Sequence, residues 1–202
     1  MRGGNTDQAI AALRDDQVVV VPTDTVYGLA VRLSSTAIDR LFTLKGRSTD
    51  KPFAVLVGSD EQAAGLGALN PAASRLIDRF WPGPLTVVTG RAVGFDLDLG
   101  GDRSTVGLRF PRSPLIVALT GAVGPLVTTS ANRSGEPSLE SFDEIAMAFG
   151  ADVGTTIGAV LDGGVLRGEP STVVDCTADP AVILRCGRLD PQLVRAVADG
   201  LA

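Results

Sequence analysis

Short runs of apolar, β-branched residues alternate along the chain with stretches in which apolar residues recur every three or four positions. The first pattern predicts buried strands and the second predicts amphipathic helices. Strands are predicted at 18–21, 53–57, 85–89, 105–110, 126–129, 157–161, 171–175 and 182–185. Helices are predicted at 6–16, 35–45 and 71–81, and after capping residues at 113, 141 and 190. The alternation, without an internal repeat, predicts one α/β domain with a mixed sheet.

Composition supports this interpretation and excludes several classes of function. The chain has 202 residues, 45% of them apolar and 20% charged, which is typical of a single globular domain. Its net charge of −5 argues against a protein whose main task is to bind a phosphodiester backbone. It contains no histidine, which excludes histidine-assisted nucleophiles and histidine zinc sites.

The two cysteines, Cys176 and Cys186, are too few for a structural zinc site or a disulfide framework. Both lie in apolar, strand-like runs, so we expect two buried thiols in a reducing compartment. The N-terminus is polar, and no apolar run is long enough to span a membrane. The sequence therefore predicts a cytoplasmic protein without a membrane partner.

The common nucleotide-binding motifs are missing from the sequence, so any bound nucleotide would have to be held by other polar residues. Neither a G-x-x-x-x-G-K loop nor a G-x-G-x-x-G turn occurs. Four polar clusters follow or interrupt apolar runs, where ligands often bind in α/β folds. They lie at 22–29, 45–52, 104–111 and 128–138.

Each cluster has a structural and a functional interpretation. The cluster at 22–29 is either a Thr/Asp turn or a set of ligand-binding hydroxyls. The cations at 45–52 either complement a helix dipole or clamp a triphosphate. Arg109 interrupts an apolar strand, so it either pairs with a structural carboxylate or binds a substrate carboxylate. The hydroxyls at 128–138 form a hydrophilic connection or bind phosphate or ribose.

Seven motifs together resemble the YrdC/Sua5 family of L-threonylcarbamoyladenylate synthases. They are PTDTVYGLA, LKGRSTDKP, WPGPLT, STVGLRFP, TTSANRSGEPS, LDGG and STVVD, in that order and within residues 18–188. The resemblance implies a single YrdC-like domain over 1–202, with a twisted mixed parallel and antiparallel sheet flanked by helices and an open concave cleft. It also implies ATP-dependent nucleotidyl transfer, in which L-threonine, bicarbonate or CO2, and ATP give threonylcarbamoyl-AMP and pyrophosphate for tRNA t6A37 modification.

The resemblance assigns site residues one by one. Lys45 and Arg47 would stabilise charge during catalysis, without a covalent nucleophile. The residues implied to bind ATP are Lys45, Arg47, Lys51, Thr105, Ser130, Asn132, Ser138 and Arg185. The residues implied to bind L-threonine are Thr25, Arg109, Thr128 and Ser171. Mg2+ would arrive on the ATP phosphates, since no protein ligand set is implied.

Three departures from the family pattern stand out. Leu56 occupies the position where many members have a histidine. Where family members usually have Arg-Pro-Gly near the end, this chain has Arg185-Cys186-Gly187. The arginine is kept, but the loss of the proline changes the rigidity of the backbone. We expect no C-terminal Sua5 domain, because the sequence stops soon after the shared region.

Two other functions stay open on the sequence alone. One is a double-stranded RNA-binding module of the same fold, or weak RNA binding beside the enzymatic activity. The other is a carbamoyl-transfer domain related to hydrogenase maturation. If the synthase interpretation holds, the product would be handed to a tRNA threonylcarbamoyl-transferase complex.

Overall fold

The structure is a computed structural model that describes residues 3–202. Ten strands within this range form one open sheet, and seven helices flank it. The strands are β1 (Val18–Pro22), β2 (Tyr27–Arg32), β3 (Ala54–Leu56), β4 (Gly67–Ala68), β5 (Leu85–Arg91), β6 (Thr105–Arg109), β7 (Leu126–Ser130), β8 (Ile157–Val160), β9 (Thr172–Asp175) and β10 (Val182–Arg185). The helices are α1 (Thr6–Arg14), α2 (Ser35–Lys45), α3 (Asp60–Ala64), α4 (Pro71–Phe80), α5 (Pro114–Val123), α6 (Phe142–Phe149) and α7 (Pro191–Ala198).

The sheet mixes parallel and antiparallel pairs. Its order is β10-β9-β5-β6-β3-β7-β2-β1-β8, with β4 paired to β5 outside this path. β1 with β8, β3 with β6, and β5 with β9 are parallel, and the remaining pairs are antiparallel. The fold class expected from the sequence is confirmed.

The two faces of the sheet are covered unequally. On one face, α2 and α6 pack on a core that includes Val20, Leu29 and Val127. On the other face, α1 and α5 pack near the β1 end of the sheet, against residues such as Leu56 and Leu126. Successive side chains of a strand point to opposite faces of the sheet. On this second face, the strands that lie between α1 and α5 at one end and the β10 edge at the other therefore present alternate side chains to an uncovered surface.

The sequence pattern did not predict three elements. β2 begins within the cluster at 22–29 and was not recognised as a strand, because its glycine and the preceding Thr/Asp residues resemble a turn. α3 has five residues and is too short to show a helical period. β4 has two residues and exists through its pairing with β5.

The expectation of two buried thiols is half wrong. Cys176 is buried in the cluster between α4 and α7, and burial, followed by the charge of Asp175, raises its thiol pKa to about 11. Cys186 is exposed, because it follows β10, which is an edge strand of the sheet that residues 3–202 form. As for the membrane, the described residues include no helix with the length and apolar character needed to cross one.

Candidate functional site

A cleft of about 260 Å³ opens on the face of the sheet that α1 and α5 leave uncovered. Strands β2, β3, β5, β6, β7, β9 and β10 all contribute to its wall. Along β3 and β5 the period of two places alternate residues in the cleft, whereas β2, β6 and β7 contribute consecutive residues. The strand residues and the neighbouring Ser171 that form this wall are Tyr27, Gly28, Ala54, Leu56, Thr86, Val88, Thr105, Val106, Gly107, Arg109, Thr128, Thr129, Ser130, Ser171, Val173 and Arg185.

Three arginines from distant segments meet in this cleft: Arg47, Arg109 and Arg185. Burial lowers the pKa of all three guanidinium groups, which means that the surroundings disfavour their charge. The charge of Arg47 further lowers the pKa of Arg185, so the two groups repel each other. Among residues 3–202, neither Arg47 nor Arg185 forms an ion pair. A polyanionic ligand would relieve this repulsion.

Arg47 is held by its own loop. Its Nε donates to the Lys51 carbonyl at 3.0 Å, and its Nη2 donates to the Pro52 carbonyl at 3.1 Å. The guanidinium also lies over the ring of Phe53, 5.4 Å from its centroid. These neutral partners orient the group without neutralising it.

Arg109 has the ion pair that one sequence interpretation predicted. Its Nη2 donates to Oδ1 of Asp24 at 2.5 Å, and the two side chains are only 8% and 14% exposed. The group nevertheless lines the cleft. The structural and functional interpretations of Arg109 are therefore compatible.

Lys45 lies behind the cleft wall, only 2% exposed. Its Nζ donates to the carbonyl of Ser130 at 2.7 Å and to Oδ1 of Asn132. Burial, together with the charge of Arg47, lowers the ammonium pKa to about 8, although Glu136 opposes the shift. Lys45 supports the segment that carries Ser130, and its charge lies within electrostatic range of Arg47.

Two hydroxyls join β5 to β9 at the other end of the cleft. Thr86 Oγ1 and Ser171 Oγ lie 2.8 Å apart, and both residues are buried. Arg185 donates to Ser171 Oγ at 3.0 Å and to the Ser171 carbonyl at 2.9 Å. This chain of contacts connects a cleft arginine to a cleft hydroxyl.

The structure brings together seven of the twelve residues that the resemblance assigned. Those lining the cleft are Arg47, Thr105, Arg109, Thr128, Ser130, Ser171 and Arg185. The other five lie outside the lining, within the part of the chain that the structure describes. Lys45, Asn132 and Thr25 are buried next to it, Ser138 is half-buried, and Lys51 is exposed. Leu56, at the family's histidine position, lies in the cleft floor beside Arg109.

Sequence reasoning did not assign three further residues of the site individually, although Thr23 and Asp24 belong to the cluster at 22–29. Thr86 lines the cleft, but its only signal was a threonine in an apolar strand. Thr23 also lines the cleft and caps the β1–β2 turn, accepting from the amides of Thr25 and Val26 at 3.2 and 3.3 Å. Asp24 is the partner of Arg109, a contact between positions 85 residues apart that no local pattern indicates.

The residues present suit phosphates better than a bare metal ion. No group of three or more Asp, Glu, Cys or His side chains that could hold a metal occurs within 3–202. Arginines and hydroxyls are ligands for phosphate oxygens. A magnesium ion brought by ATP needs few protein ligands, because phosphates and waters supply the rest.

The chain is similar to known proteins in both sequence and fold. The family model Sua5_yciO_yrdC, described as telomere recombination, matches residues 11–187. The chain belongs to the Sua5/YciO/YrdC family. A relative from Mycobacterium leprae, named a putative threonylcarbamoyl-AMP synthase, is 39% identical over 96% of this chain and 86% of its own length.

Other Sua5/YciO/YrdC relatives are longer. The threonylcarbamoyl-AMP synthase of Bacillus subtilis is 35% identical, and the match covers 94% of this chain but 55% of the relative. The crystal structure of Pyrococcus abyssi Sua5 complexed with L-threonine aligns with a TM-score of 0.87 at 35% identity, over 95% of this chain and 56% of that one. The chain therefore spans just over half of these two relatives.

More distant structures share the fold. The crystal structure of Escherichia coli YciO aligns with a TM-score of 0.81 at 26% identity, covering 92% of this chain and 90% of that one. A HypF structure in a phosphate- and nucleotide-bound form has a TM-score of 0.77 at 24% identity and supports the fold alone.

Proposed function

We propose that this chain is an ATP-dependent threonylcarbamoyl-AMP synthase. It would convert L-threonine, bicarbonate or CO2, and ATP into threonylcarbamoyl-AMP and pyrophosphate. The product would then pass to a tRNA threonylcarbamoyl-transferase complex for t6A37 modification. The names of the mycobacterial and Bacillus subtilis relatives support the synthase activity.

One observation carries this proposal: Arg47, Arg109, Ser130 and Arg185 line a single cleft, although they come from four distant segments. Two of the reaction's substrates present anionic groups that the protein must hold, the triphosphate of ATP and the carboxylate of threonine. Arg47 and Arg185, which form no ion pair within residues 3–202, suit the triphosphate, and the planar fork of Arg109 suits the carboxylate. The P. abyssi Sua5 structure complexed with L-threonine supports an amino acid as one ligand.

The proposed mechanism needs no side-chain nucleophile. The neutral threonine amine adds to CO2 and loses one proton to solvent, which gives an N-carboxylate. An oxygen of this group attacks the α-phosphorus of ATP. The bond from the α-phosphorus to the bridging oxygen breaks, and pyrophosphate leaves. The attacking group is already an anion, so catalysis consists of positioning and charge neutralisation.

The chain's own residues divide this work. Arg109 would hold the threonine carboxylate, near the hydroxyls of Thr128 and Ser171. Arg47 and Arg185 would hold phosphate oxygens, and the buried ammonium of Lys45 would add positive charge behind Ser130. Thr105 and Ser130 would contact the nucleotide, as would Lys51, Asn132 and Ser138 if their segments close over it. Mg2+ carried by ATP would neutralise further phosphate charge.

The decisive experiment is detection of the product. Purified full chain is incubated with ATP, Mg2+, L-threonine and bicarbonate, and threonylcarbamoyl-AMP is measured by mass, with pyrophosphate release in parallel. Release must depend on both threonine and bicarbonate. A folded protein that releases no pyrophosphate, but binds double-stranded RNA in a salt-sensitive manner, would favour the RNA-binding alternative.

A further inference from the structure

One edge of the Arg109 guanidinium is already occupied by the protein. Nη2 donates to Asp24 Oδ1 at 2.5 Å, and Nε donates to the Gly83 carbonyl at 3.4 Å. A planar guanidinium can bind a carboxylate along two edges, one formed by Nε and Nη2 and the other by Nη1 and Nη2. The first edge is therefore unavailable to a ligand.

The second edge remains accessible. Nη1 of Arg109 has no hydrogen-bond partner among the side chains and backbone of residues 3–202. The fully buried side-chain nitrogen without a partner in that range is Nη2 of Arg91, not Nη1 of Arg109. Nη1 must therefore be reachable from outside, and the cleft is the space that Arg109 lines. A carboxylate would meet Arg109 end-on.

The backbone of the turn that carries Asp24 is fixed in place. Arg188 donates to the backbone carbonyl of Asp24 at 3.1 Å. The hydroxyl of Thr23 donates to the Val26 carbonyl at 2.7 Å and closes the turn on the other side. Gly168 packs so closely on this turn that a Cβ there would lie 2.3 Å from the Thr25 carbonyl oxygen. Asp24 is thus a rigid reference point for Arg109.

We propose that Asp24 is a positioning residue that turns the Nη1–Nη2 edge of Arg109 toward the amino-acid carboxylate. This proposal rests on the proposed function. Without Asp24, Arg109 would rotate about its last side-chain bonds and lose the end-on geometry, while its charge would remain. The expected defect is therefore in amino-acid binding and not in nucleotide binding.

The test is Asp24→Asn in the full chain, which keeps the side-chain shape and removes the charge. Steady-state pyrophosphate release is measured with either L-threonine or ATP varied, and L-threonine binding without ATP is measured by calorimetry. The expected result is a threonine KM raised at least tenfold and an ATP KM within twofold of the wild type. Asp24→Glu, which keeps the charge, should raise the threonine KM less.

Asp16→Asn is the matched control. Asp16 pairs with Arg32 at 2.6 Å, but at the opposite end of β1 from Asp24. This variant should leave both KM values unchanged. In the Arg109→Lys background, Asp24→Asn should add less than a twofold effect, because the fork that Asp24 orients is gone.

Several results would overturn the assignment. An unchanged threonine KM in Asp24→Asn would do so, and so would equal increases in both KM values. If Asp24→Asn does not fold, Asp24→Ser, which also lacks the carboxylate, decides: a wild-type threonine KM in that variant, or an equal increase in both KM values, refutes the role. If the wild type binds L-threonine but releases no pyrophosphate, the proposed reaction is refuted and the role of Asp24 is not. Calorimetry then still tests that role, by comparing the affinity of Asp24→Asn for L-threonine with that of the wild type.

Discussion

The ammonium of Lys45 donates a hydrogen bond to the backbone carbonyl of Ser130 at 2.7 Å, across 85 positions of sequence. The same ammonium contacts Asn132, and Ser130 Oγ donates to Oδ1 of Asn132 at 2.6 Å. The Lys-x-Arg and Ser-x-Asn motifs thus form one buried network. The network fixes the end of β7, where Ser130 enters the cleft.

Lys45→Met should change how stability depends on pH. The Lys45 pKa of about 8 lies below its ordinary 10.5, so between these values the unfolded chain binds a proton that the folded chain lacks. The contribution of Lys45 to the free energy of unfolding therefore rises with pH across this window, by up to about 3 kcal/mol, and is flat below pH 8. Urea unfolding at several pH values measures the difference between wild type and variant.

The other lysine of the chain supplies the control for this experiment. Lys51→Met removes one positive charge at an exposed site. If the difference in free energy of unfolding between wild type and Lys45→Met does not change between pH 8 and 10.5, burial does not lower the pKa of Lys45. A wild-type free energy of unfolding that falls relative to that of Lys45→Met as the pH rises would contradict the sign derived above.

Arg47→Ala should abolish most of the turnover and leave the fold intact. Within residues 3–202 the side chain donates hydrogen bonds only to carbonyls of its own loop and otherwise lies over the Phe53 ring, so stability depends little on it. We expect kcat to fall about 100-fold, as for loss of one charge-stabilising donor, and Tm to shift by less than about 4 °C. Arg40→Ala is the control, because Arg40 is an exposed arginine of α2 that contacts carbonyls of Asp15 and Asp16. A large drop in Tm for Arg47→Ala would mean a structural role.

Thr86→Val tests a cleft residue that only the structure revealed. It removes the hydroxyl that contacts Ser171, and through Ser171 it loosens Arg185. Thr89→Val is the matched control, since Thr89 lies on the opposite face of β5 and donates to the Ala68 carbonyl at 2.6 Å. Both variants should lose about 1 kcal/mol of stability. Only Thr86→Val should lower kcat/KM, by about tenfold, and equal kinetics for both would show that Thr86 is merely structural.

The two thiols should differ in reactivity. At pH 8, a disulfide reagent should modify one thiol per folded chain quickly, and the second only after unfolding. Cys186 is exposed, whereas Cys176 is buried with a pKa raised to about 11, so little reactive thiolate forms there. Cys186→Ser should remove the fast reaction, and Cys176→Ala should leave it. Two fast thiols in the folded wild type would contradict the buried position of Cys176.

Local pattern was enough to predict most elements of the fold. Helix α2 occurs at the predicted residues 35–45, because its N-cap Ser34 and the left-handed Gly46 mark both ends in sequence. Strand β10 also occurs at its predicted bounds. Segments such as α3 and β4 were missed, because elements of five and two residues carry no period that a sequence can display.

The sequence by itself determined the fold class, the family and the residues that bear positive charge, because these depend on local periodicity and on motifs in a fixed order. Only the tertiary structure decided which of these residues meet. Strand order β5-β6-β3-β7 brings Thr86, Arg109 and Ser130 to one face, and only folding pairs Asp24 with Arg109. Such contacts join positions far apart along the chain, and no local pattern encodes the side-chain distances that create them.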